Sequence, residues 1–104
     1  MGLAFSHKVG HGMNIDNGEH SIDVIVLRIE GKKRNKIATL AIQDSEKEAP
    51  FPIVLSYADD YPYELGHDIE INVANKKLGP KYVQLHYSAP QEYKFTRILV
   101  NSML

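Results

Sequence analysis

The 104 residues carry 12 Lys+Arg against 13 Asp+Glu, a formal net charge of −1, with 43% hydrophobic residues and no cysteine. Such a chain has room for one core, is too apolar for a disordered segment and excludes disulfides and thiolate metal sites. Charge balance argues against a non-specific coat for nucleic acid but leaves room for a compact RNA site built from backbone groups and one or two arginines.

Strand patterns dominate in chain order. Residues 3–9 form a short apolar–polar segment that ends at Gly10-His11-Gly12. Met13-Asn14-Ile15 runs into Asp16-Asn17-Gly18, and Asn-Gly marks a tight turn. Residues 21–29 carry Ile22, Val24 and Val26 on one face and Ile25, Leu27 and Ile29 on the other, so both faces are expected to be at least partly covered. A charged turn follows, and residues 37–42 return as a strand with Ala38, Leu40 and Ile42 on one face. Pro50 and Pro52 cannot donate to a ladder, which limits residues 53–57 to a short or edge strand.

Residues 58–66 read as a connector, with Asp59, Asp60 and Pro62 beside Tyr61 and Tyr63. Alternation then restarts at Ile69, Ile71 and Val73, and again at Val83, Leu85 and Tyr87. Residues 88–92 make a loop, residues 93–97 alternate once more, and residues 98–104 suit a strand end or a single helical turn. No segment holds a long helical period, so the fold class is all-β. The basic residues cluster at Lys32, Lys33, Arg34 and Lys36 and at Lys76, Lys77 and Lys81, where solvated turns are expected.

The strand pattern occurs twice. Ile22-Asp23-Val24-Ile25-Val26 matches Ile69-Glu70-Ile71-Asn72-Val73, and residues 38–43 match residues 83–88 with the same face apolar. Two related halves sharing one core are expected: residues 1–57, a connector at 58–66, and residues 67–104.

Both halves resemble the carbon storage regulator family (CsrA/RsmA), small translational regulators. Leu3-Ala4-Phe5-Ser6-His7-Lys8-Val9-Gly10 is similar to that family's first strand. Residues 82–97, with Ala89-Pro90 and Arg97 at matching spacing, resemble its third to fifth strands. Family members are intertwined homodimers whose RNA surface joins the first strand of one subunit to the fifth strand of the other. The first half keeps the first strand and the second keeps the last. The resemblance therefore implies a fused, monomeric pseudo-dimer, a β-barrel or sandwich, with one composite site formed where residues 3–9 pair with residues 93–98.

The expected RNA-binding residues are Leu3, Phe5, His7, Lys8, Tyr93, Phe95, Thr96 and Arg97. Arg97 would bridge phosphate and a base edge in an unpaired loop. Lys8 would contact phosphate, and the aromatic rings would stack on bases. The implied ligand is a GGA-type single-stranded loop of mRNA or small RNA, and the implied role is translational repression. The family's two consecutive first-strand arginines are here His7 and Lys8, and histidine lacks arginine's bidentate fork. The alternative is a protein-interaction module that binds a regulatory protein.

No cofactor is expected, and nothing points to an enzyme. His7 and His11 fall on a strand and a glycine turn, no His-Glu-x-x-His motif occurs, and no metal site is expected. Asp59 and Asp60, as sequence neighbours, do not form a catalytic carboxylate pair. No apolar run is long enough to span a membrane, and the first eight residues lack a signal peptide's apolar stretch, so a cytoplasmic protein is expected.

Overall fold

A computed structural model describes residues 2–31, 35–74 and 79–99. The basic clusters at Lys32, Lys33 and Arg34 and at Lys76 and Lys77, and any helical turn at 100–104, lie outside the described residues. Those described contain no α-helix, and no helix is long and apolar enough to cross a membrane.

The strands are β1 (Gly2–Lys8), β2 (His11–Asp16), β3 (Ser21–Glu30), β4 (Ile37–Asp44), β5 (Phe51–Ser56), β6 (Tyr63–Gly66), β7 (Ile69–Val73), β8 (Tyr82–Ser88) and β9 (Lys94–Leu99). They form two antiparallel sheets, one ordered β1-β8-β7-β6 and the other β5-β4-β3-β2-β9. The arrangement is a sandwich, not a closed barrel.

Alternation decides which residues meet between the sheets. Ile22, Val24 and Val26 on β3 and Ala38, Leu40 and Ile42 on β4 are fully buried. Ile69 and Ile71 on β7 and Val83, Leu85 and Tyr87 on β8 face them from the other sheet and are equally buried. The second face of β3 is covered only in part, because Ile25 and Ile29 are half-buried and Leu27 is exposed.

Two meanders, β2-β3-β4 and β6-β7-β8, carry the repeated pattern, and the last strand of each pairs with a further strand, β5 and β1 respectively. β1 comes from the start of the chain yet pairs with β8, from Gly2↔Ser88 to Lys8↔Tyr82. β5 pairs with β4, from Ile37↔Ser56 to Ile42↔Phe51. β5 therefore stands to the first meander as β1 stands to the second. The expected connector at 58–66 is shorter, since Tyr63–Gly66 is a strand paired with β7.

The two prolines fit because β5 is an edge strand that needs only one ladder. The Asn-Gly turn also forms. The Asn17 side-chain oxygen accepts the amides of Glu19 and His20 at 2.9 and 2.7 Å, and Gly18 takes a positive φ of 95°. Lys36 departs from the solvated turn expected of its cluster. It is buried, and its Nζ donates to the carbonyls of Gly79 and Tyr82 at 3.1 and 2.8 Å, tying the two sheets together.

Gly12 sits where β2 lies between β3 and β9, opposite Ile25 and Ile98. A Cβ here would collide with the Val24 carbonyl, which is backbone and cannot swing away. Gly12→Ala is expected to cost about 1–3 kcal/mol through displaced strands. Urea unfolding measures it, and a variant as stable as the parent would contradict this close approach.

Candidate functional site

The edge strands β1 and β9 meet at one side of the sandwich. They share no ladder, because the backbone of β1 pairs with β8 and that of β9 pairs with β2. The expected pairing of residues 3–9 with 93–98 is thus corrected: these segments meet through side chains. Arg97 Nη1 donates to the Ser6 carbonyl at 3.0 Å, and its guanidinium lies 5.2 Å from the centre of the Phe5 ring. Phe5 and Phe95 stack at 6.3 Å with an interplanar angle of 29°.

Strand alternation sorts the expected residues. Leu3, Phe5 and His7 share one face of β1, and Phe95 and Arg97 share the face of β9 that meets it. Leu3, Phe5, Tyr93, Lys94 and Phe95 line an open hollow of about 420 Å³ together with the 89–91 segment. Lys8 lies on the opposite face of β1 and borders a separate hollow with Val9, Ile29 and Lys81. Thr96 lies on the opposite face of β9, beside Asn14 and Glu92. Five of the expected residues therefore converge at the junction through their strand faces, whereas Lys8 and Thr96 point away from it.

Two expected contact residues are buried, which corrects their assignment as ligand-facing. His7 is 1% exposed, and its Nε2 shares a hydrogen bond of 2.9 Å with the Tyr87 hydroxyl. Its place on the inward face of β1 turns it under the junction. Burial, then the charges of Arg97 and His11, lower its pKa from 6.5 to about 4, so the ring is neutral at pH 7. Burial also pushes the Tyr87 phenol far above its ordinary range, so it keeps its proton. Tyr93 is 7% exposed, and its hydroxyl is bonded to His20 Nδ1 at 2.9 Å. It underlies the hollow as a wall and does not offer a free ring for stacking.

Beside the Tyr93 hydroxyl the structure gathers groups that no local motif announces. His20 lies at the end of the β2–β3 connection, and its Nε2 meets Asp44 Oδ1 at 2.9 Å. Burial pushes the Asp44 carboxyl up, but the Glu46 amide and the His20 ring outweigh it and hold the carboxyl below its ordinary range. His67 occupies the two-residue turn between β6 and β7, where His67 and Asp68 both take positive φ, 53° and 61°. That turn geometry suits the twist of a hairpin. It brings His67 over His20, with ring centres 3.9 Å apart, and His67 Nε2 against Glu46 Oε1 at 2.8 Å.

No protein-family model, curated protein or solved structure matches this chain.

Proposed function

We propose that the β1–β9 junction binds an unpaired GGA-type loop of mRNA or small RNA, and that the protein is a translational repressor of the carbon storage kind. The observation that carries this reading is Arg97, held over Phe5 and bonded to Ser6 across two different sheets. The resemblance implies a site made from a first strand and a last strand of different units. Here β1 belongs to the first unit and β9 follows the second. β1 pairs with β8 as β5 pairs with β4, and reading β1 and β5 as first strands exchanged between two units likewise supports an intertwined pseudo-dimer within one chain.

The chemistry suits a splayed loop. Arg97 supplies a cation and a planar fork of donors for phosphate or a guanine edge. Leu3, Phe5 and Phe95 give an apolar bed for bases. The edge strands carry backbone groups free on one side, which can read base edges without side chains. With His7 buried and neutral, the cations at the junction are Arg97, fixed over Phe5, and Lys94 at the edge of the hollow, and the charge contribution to affinity is small. A retained loop near a ribosome-binding site would compete with initiation.

Arg97→Ala is expected to lose about 1–3 kcal/mol of binding to a GGA hairpin. Arg28→Ala, on an exposed part of β3 in a pair with Glu30, should bind as the parent does. Fluorescence titration of labelled hairpin reads both, and full-affinity binding by Arg97→Ala would remove the site assignment.

A second reading is a module that docks a regulatory protein. Its support is the burial of His7 together with the exposure of Val9 and Leu99 at the ends of β1 and β9. In that case the chain should co-elute with a carbon storage regulator in size-exclusion chromatography and leave the hairpin unbound.

A further inference from the structure

We propose that His20, Glu46 and His67 form a binding site for one zinc-class divalent ion. The three come from three connections, the β2–β3 turn, the β4–β5 connection and the β6–β7 turn. One ligand atom from each lies within 4.8 Å of the others. The proposed RNA junction uses none of them.

The donor set selects the metal. Two imidazoles and one carboxylate are the ligands of a three-residue zinc centre with a fourth position open. Calcium and magnesium prefer all-oxygen shells and would find only one carboxylate here. A tetrahedral ion with bonds of about 2.0–2.1 Å sets its ligand atoms about 3.3 Å apart. The present cluster must close by about 1.5 Å at its widest to reach that spacing.

The fold supplies both a fixed and a movable side for this closure. His20 is 3% exposed and gripped at both ring nitrogens, by Tyr93 and Asp44. Asp44 is placed as the outer carboxylate that fixes the tautomer and raises the basicity of a metal-bound histidine. To bind metal through Nδ1 with Asp44 retained on Nε2, His20 gives up its bond to Tyr93. The side chains of His67 and Glu46 are 43% and 55% exposed, one on a two-residue turn and the other on a connection. Their mutual hydrogen bond at 2.8 Å opens by only about half an ångström to admit the ion between them. The stacked rings must splay apart, which the exposed His67 permits.

The ion would join the two sheets. His67 sits on the β6–β7 turn of one sheet, while His20 and Glu46 flank strands of the other. Binding to the folded chain alone raises its melting temperature by mass action.

The test is thermal unfolding of chelator-treated full-length protein with and without roughly 100 μM ZnCl2, a large excess over a micromolar site. The expected result is a rise of about 10 °C with zinc and none with magnesium. The rise should vanish in His67→Gln and in Glu46→Gln, whose exposed side chains leave folding intact, and persist in His11→Gln. Cobalt substitution should give the visible absorption of a tetrahedral site, lost in the same two variants. Absence of any zinc effect on the parent overturns the proposal. So does an effect that survives in His67→Gln, which would place the ion elsewhere.

Discussion

Tyr87→Ala is expected to lose about 3–5 kcal/mol of unfolding free energy, the largest effect of any single truncation considered. Tyr87 is fully buried on β8 and stands under the junction of the two sheets. Its ring packs against Phe5 at 6.1 Å, Phe95 at 5.9 Å and His7 at 5.9 Å. Alanine would open a cavity beneath both edge strands and leave His7 Nε2 without its hydroxyl partner. The milder Tyr87→Phe keeps the ring and removes only the hydroxyl, at a cost of about 1–3 kcal/mol for the stranded imidazole nitrogen. Urea unfolding of the three proteins separates packing from hydrogen bonding. A loss below about 1 kcal/mol for Tyr87→Ala would contradict the role of this ring as the floor of the junction.

Acid should also weaken the fold through His7. The folded pKa of about 4 lies below the unfolded value of 6.5. As pH falls, the unfolded chain therefore takes up the proton first. The stability contribution is fully present above about pH 6.5, declines through the interval below it, and is lost by about pH 4. The upper bound for one site shifted this far is about 3 kcal/mol. The clean readout is a comparison of the parent with His7→Gln, in which the other titrating groups cancel. The difference in unfolding free energy between the two should shrink or reverse as pH drops from 7 to 4. Parallel pH profiles would show that His7 is free to protonate in the folded protein.

These two expectations concern residues whose positions were only partly legible in the sequence. Alternation located most strands, because a half-buried strand must place apolar residues at every second position. Ile22, Val24 and Val26, and Ile69, Ile71 and Val73, illustrate this. The Asn17-Gly18 turn and the edge role imposed by Pro50 and Pro52 were legible for equally local reasons. β6 was not, because Tyr63–Gly66 is short and largely exposed, with only Leu65 buried, and so carries no alternating signal. The pairing of β1 with β8 is a choice of partner strand, and partner choice depends on contacts distant in the chain.

The candidate site divides in the same way. Arg97 and Phe5 could be singled out from spacing and residue type, and they do meet. Histidine at position 7 suggested a weakened surface cation, but its strand face turns it inward toward Tyr87. Tyr93 suggested a stacking platform, and its hydroxyl is instead committed to His20. The stacked pair His20 and His67 could not be read as a pair, since two separate connections must fold before the rings come together. A histidine at the end of an Asn-Gly turn and another in a tight hairpin were the only cues present, and neither names its partner.

The central claim is that the β1–β9 junction recognises an unpaired GGA loop. Its most direct test is fluorescence titration of a labelled GGA hairpin by the full-length protein at two salt concentrations, beside a hairpin with the loop sequence scrambled. The account predicts saturable binding to the GGA loop that weakens as salt rises, with a shallow slope because few phosphates are contacted, and weaker binding to the scrambled loop. No binding of the GGA loop at micromolar protein, or equal affinity for both loops, would contradict it.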